Sequence, residues 1–196
     1  MIETVWGYDI DADAIPPIVD SFDFDMRTGG RWANDERVES SIEAVNSAVR
    51  DWCGWHVGPS CKCRMTLDGE PGDIWLPVMN LTAVTSVEVD GSEVAVAGFN
   101  RRGRVRLASP VTGGLGNVVV EFTAGLPVAS MGSLADTLAK AVVAQISLRT
   151  YGVSQETSGD VSVSYGSTAL SSQGMVLPPA MRSALAPYRV VRAHAV

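Results

Sequence analysis

Histidine is nearly missing from this sequence: 196 residues contain only His56 and His194. A histidine-dependent triad or a multi-histidine metal centre would have to recruit a residue at the tail, where little can hold it rigid. Cysteine is almost as scarce, at Cys53, Cys61 and Cys63. The acidic N-terminus lacks the basic-then-apolar order of a secretory leader, so the chain is expected to fold in a cytoplasm, with free thiols. Long apolar runs are also lacking. The best, Leu134 to Leu148, is broken by Asp136, Lys140 and Gln145 and falls short of the ~20 residues that span a bilayer, so no membrane partner is expected.

Bases are absent from the front of the chain and acids from its end. Glu3, Asp9, Asp11, Asp13, Asp20, Asp23 and Asp25 precede the first base, Arg27, whereas only Arg182, Arg189 and Arg192 carry charge after Asp160. With 15 bases against 22 acids the net charge is −7, which disfavours general nucleic-acid binding. An acidic front and a basic rear can attract a second copy head to tail over roughly 8–10 Å.

Motifs for chemistry fail one at a time. Cys53, His56, Cys61 and Cys63 form C-x2-H-x4-C-x-C, but structural zinc sites usually show two separated pairs such as C-x2-C. Buried or half-buried thiols are the favoured reading. Asp11 with Asp13, and Asp23 with Asp25, lack the central Gly and terminal Glu of a calcium loop. Gly113-Gly114-Leu115-Gly116 lacks the Lys and following helix of a phosphate loop. No catalytic residue, metal or other cofactor is expected.

What is present is an ordinary globular composition, 46% hydrophobic and 19% charged, with length for one main domain. Residues 1–32, with Pro16-Pro17 and Gly29-Gly30, read as an extended acidic arm holding at most a short helical turn near Ile15 to Val19. Val38, Ile42, Val45, Val49 and Trp52 recur at spacings of 4, 3, 4 and 3 and predict a helix over 34–53, with Asn34 as cap and Gly54 as terminator. From 60 to 124 the period becomes two, predicting strands in hairpins turned at Asp68-Gly69, Asp90-Gly91 and Arg102-Gly103. A second helix is predicted over 133–150, packed on the first, then a Ser/Gly-rich segment over 153–174. Pro178-Pro179 opens a short helix over 179–186. The fold class is α+β: a small helical bundle of two long helices and a short C-terminal one, carrying a β-hairpin-rich insertion, with a core over 33–187. Residues 188–196 form a C-terminal arm whose strip Tyr188-Arg189-Val190-Val191-Arg192 cannot bury itself alone. Arg101, Arg102, Arg104 and Arg106 are the concentrated basic patch, expected to contact a neighbour such as another subunit's acidic arm.

Taken in order, several strings resemble the head-tail connector, or adaptor, proteins of tailed bacteriophages, the gp6-like or gp15-like group. They are Trp52-Cys53-Gly54, then Leu76-Pro77-Val78 leading into Val84-Thr85-Ser86-Val87-Glu88-Val89-Asp90-Gly91. Next come Val118 to Leu126 (VVVEFTAGL), Tyr151-Gly152, Gly159 to Gly166 (GDVSVSYG) and Leu185-Ala186-Pro187-Tyr188. The resemblance covers about residues 35–189 and is carried by order and spacing. It implies a virion protein of the neck, assembled in the host bacterial cytoplasm into a ring, commonly twelve-fold, under the portal protein. That ring would extend the DNA channel, pass double-stranded DNA without specific binding, and dock the next neck or tail protein. The C-terminal strip Tyr188 to Arg192 would reach the portal. Alternatives are a stopper or tail-terminator, expected as a β-barrel without two long helices; a small hydrolase or nuclease, disfavoured by the missing catalytic constellation; and a module binding partners by β-augmentation.

Overall fold

A computed structural model describes residues 1–111, 113–150, 155–158, 161–164 and 177–190. The chain divides into two compact units, Met1–Ile18 with Cys53–Met131 and Pro187–Val196, and Val19–Trp52 with Gly132–Ala186. The class is mixed α and β, but the sheets are more extensive than a hairpin insertion.

In the first unit β1 (Ile2–Glu3), β2 (Asp9–Ile10), β3 (Cys61–Gly69), β9 (Gly114–Ala124), β5 (Leu81–Val89) and β6 (Ser92–Glu93) form one antiparallel sheet, in that spatial order. A second sheet holds β4 (Ile74–Trp75), β8 (Arg104–Leu107) and β7 (Val96–Phe99), with β8 central. The period-two pattern located strands but not their partners. β9 is hydrogen-bonded on both sides, and Val118, Val120, Phe122 and Ala124 alternate into the interior. Its register sets Ile10, Cys63, Phe122 and Val84 in a row across four strands. The hairpin at Asp90-Gly91 is short, pairing only Glu88 with Glu93 and Val89 with Ser92. Both turn residues have positive φ, 51° and 73°, as a two-residue turn of the primed kind needs.

The extended N-terminal arm expected over 1–32 is corrected. Residues 2–3 and 9–10 are sheet strands, Tyr8 and Ile10 are buried, and Ser21–Thr28 is a helix, α1. Asp20 caps α1 by accepting from Asp23 N at 2.7 Å, and Gly29 ends it with φ 65°. On β2 the half-buried Asp9 and the buried Ile10 point to opposite faces, and on α1 Phe24 turns inward between the half-buried Asp23 and Asp25.

In the second unit α2 (Val38–Cys53) buries Ile42, Val45 and Val49, while Val38 and Trp52 are half-buried. It starts later than Asn34. The Asp35 carboxylate accepts from Arg37 N at 3.0 Å and Arg37 Nε at 2.8 Å, so it holds a turn in place of a helix cap. Arg37 keeps that carboxyl at a pKa of about 2. α3 (Gly132–Thr150) turns Leu134, Leu138, Val142 and Ile146 inward. α1 lies along it through Arg27, which donates to Gly132 O at 3.2 Å and pairs with Asp136. Gln155–Ser158 and Val161–Ser164 form a hairpin, β10 and β11, and α4 (Pro179–Leu185) buries Met181 and Leu185. No described helix is long and apolar enough to cross a membrane.

Candidate functional site

The arginine patch is built on the turn between β7 and β8. Asn100 Oδ1 accepts from Arg102 N at 3.0 Å and Arg104 N at 3.2 Å, which locks the turn. Gly103 has φ 83° and lies so close to Leu76 that a Cβ would sit 2.2 Å from Leu76 O, so only glycine fits. Arg101 and Arg102 project from this rigid tip, exposed, and neither has an ion pair among the described residues.

Arg104 and Arg106 behave differently. Both reach the half-buried Asp73: Arg106 donates from Nε at 2.9 Å and Nη2 at 3.2 Å, and Arg104 Nε pairs with the same carboxylate. Arg106 first, then Arg104, holds the Asp73 carboxyl below the usual carboxylate range. The Arg104 guanidinium also lies 5.4 Å from the centre of the Trp75 ring. Sequence reasoning treated the four arginines as equal; the fold splits them into two that are free to reach outward and two that shape a hollow with Asp73, Gly98, Phe99 and Asn100. Trp75 and Asp73 were missed. The period-two pattern reads as a strand over Ile74–Leu76, but nothing in the sequence ties Asp73 or Trp75 to the arginines.

The C-terminal strip is tied down at its start. Trp55, fully buried, donates from Nε1 to Tyr188 O at 2.6 Å, and Val190 N donates to Cys53 O at 2.8 Å. Arg189 is exposed, and Val191 and Arg192 lie outside the described residues. Thus the arm does not begin free at 188.

The structure brings His56, Cys61 and Cys63 together, with one ligand atom of each within 4.8 Å of the others, and leaves Cys53 out. Both ring nitrogens of His56 are already engaged, Nδ1 with Tyr8 Oη at 2.8 Å and Nε2 with Ala124 O at 3.0 Å. Tyr8 Oη also accepts from His56 N at 3.1 Å. An ion could enter only by displacing one of these bonds. Burial pushes the Cys53 thiol up to about 12, and the hydrogen bond with Cys61 together with burial raises Cys63 further, so both stay protonated. The cluster reads as a buried network that fastens residue 8 to the sheet. Gly125, φ 120°, lets the chain pass, since a Cβ there would meet Pro59 O at 2.6 Å and His56 Nε2 at 2.8 Å.

A family model described as head completion protein matches residues 24–191. The chain belongs to the head completion protein family. As a member it is a structural protein of phage head completion. Among curated proteins, none matches it in sequence. The fold resembles a chain from the structure titled "Neck of native GTA particle computed with C12 symmetry", with a TM-score of 0.57, 16% identity, and coverage of 94% of this chain and 96% of that one.

Proposed function

We propose that this head completion protein is a neck adaptor of a phage-like virion, of the connector kind its sequence resembles. It forms a ring under the portal, extends the DNA channel and presents a docking surface to the next neck or tail protein. The observation that carries the reading is the likeness over nearly the whole chain to one taken from a twelve-fold neck, read together with family membership across residues 24–191. Ring closure needs a heterologous interface, in which unlike faces of successive copies meet. The exposed arginines at residues 101 and 102 and the acids of residues 1–25 supply unlike faces.

The strip from Tyr188 to Arg192 is the portal contact in this reading. Its start is anchored at Tyr188 and Val190, and Arg189 and Arg192 give it positive charge. The net charge of −7 suits a channel wall along which DNA slides without sticking, because carboxylates do not hold phosphates. The test is deletion of the gene from its phage genome. The reading expects DNA-filled heads without tails, restored by supplying the chain in trans; normal tailed particles would refute it.

A further inference from the structure

Two exposed faces of this chain match each other. On α1, Phe22 and Met26 stand one turn apart and are 72% and 70% exposed, although Phe24 between them is buried. Large apolar side chains paired on one short helix face mark a contact surface better than scattered ones do. Asp20, Asp23 and Asp25 share that helix and its cap. On the three-stranded sheet Trp75 is 61% exposed, with Arg104 over its ring, and Arg101 and Arg102 extend from the locked turn beside it. Gly98 opens this face, since a Cβ there would meet nothing within 4 Å.

Resting on the ring reading above, we infer that α1 of one copy docks on the arginine and tryptophan face of the next copy's three-stranded sheet. Met26, a flexible thioether, fills the hollow beside Gly98 and lies against the Trp75 ring. Phe22 packs under an arginine, and Asp23 and Asp25 meet Arg101 and Arg102. The tip arginines come already ordered by Asn100, so little side-chain freedom is lost at their base. The occupant is a second copy because each face supplies what the other lacks. The arginines need carboxylates beyond Asp73, and an acidic helix repels DNA. The two faces differ, so the contact leaves a free face at each end, as ring growth requires.

A charge swap tests this in assembled necks, using the full chain. Arg101→Glu with Arg102→Glu makes one variant; Asp23→Lys with Asp25→Lys makes the other. Each alone sets like charges against each other at every contact, so the amount of this chain in purified necks is expected to fall by about ten-fold or more. An equimolar mixture alternates the two, restores opposite charges at every contact and is expected to return the wild-type amount. A folding defect would not be rescued by mixing. Wild-type incorporation by either variant alone, or no rescue by the mixture, would overturn the interface while leaving the neck reading intact. If the wild-type chain is itself absent from necks, the neck reading falls. The interface is then decided by a photocrosslinker at position 22 in the concentrated purified chain. Attachment to residues 73–106 of another copy supports it, and attachment elsewhere or none overturns it.

Discussion

The two ends of this chain look alike in sequence, polar strips with a few apolar residues that cannot form a core alone, yet they are held very differently. The N-terminal end is woven in. Ile10 joins a four-strand row, Tyr8 grips both the ring and the backbone of His56, and Asn46 exchanges hydrogen bonds with both backbone groups of Val19 at 2.9 and 3.3 Å. The described C-terminal end is fastened through backbone hydrogen bonds at Tyr188 and Val190, and Arg189 lies close enough to act on Cys53. The difference teaches that net charge does not mark an arm. Alternation along Tyr8-Asp9-Ile10-Asp11 turns Tyr8 and Ile10 inside and leaves Asp9 half-buried and Asp11 exposed.

The comparison can be broken most forcefully at Tyr8. Tyr8→Ala removes a buried ring packed against Phe122 and His56 and is expected to cost about 3–5 kcal/mol in chemical denaturation. Tyr8→Phe keeps the ring and loses only the hydroxyl, for about 1–3 kcal/mol. An N-terminal stretch that is merely draped would show neither loss. At the other end, stopping the chain before Tyr188 leaves the buried Trp55 Nε1 without its acceptor and is expected to cost about 1–3 kcal/mol in the same measurement. Stopping after Val190 keeps both bonds, and comparison of the two truncations isolates their worth.

Smaller effects sharpen the contrast between acids that are structural and acids that are not. Asp35, held at about 2 against an ordinary 3.8, contributes stability that is present above the ordinary value and lost as pH falls toward 2. Asp35→Asn should flatten the acid limb of the melting-temperature profile between about pH 4 and 2 by lowering the plateau above it, and leave the melting temperature near pH 2 nearly unchanged. Smallest of all, Arg101→Ala and Arg102→Ala should shift stability by no more than about 0.5 kcal/mol, because nothing in the chain pairs with them among the described residues.

The helices α2, α3 and α4 were legible because their signal is local, whereas α1, eight residues long within an acidic stretch, was not. Ile42, Val45 and Val49 repeat at helical spacing and are buried, and Gly54 follows α2 with φ 77°. Turn chemistry was legible at Asp90-Gly91 for the same reason. Strand pairing was not, since both partners of β9, β3 and β5, lie far back along the chain and period two carries no address. Tyr8 to Asp11 alternates for only four residues, too few to separate a strand from an irregular arm. At the arginine patch the sequence shows four like charges, but which of them are neutralised depends on Asp73, brought in by the pairing of Trp75 with Arg104. The glycine before Leu126 in the family-like string has a cause visible only in three dimensions, the closeness of His56 and Pro59.

The central claim is that this chain is a ring-forming component of the neck, and a density map of purified necks tests it most directly. The account predicts a ring of copies of this chain against the portal, with α1 of each copy on the three-stranded sheet of the next and residues 188–192 turned toward the portal. A neck that lacks this chain, or holds it only as isolated copies, would contradict the account.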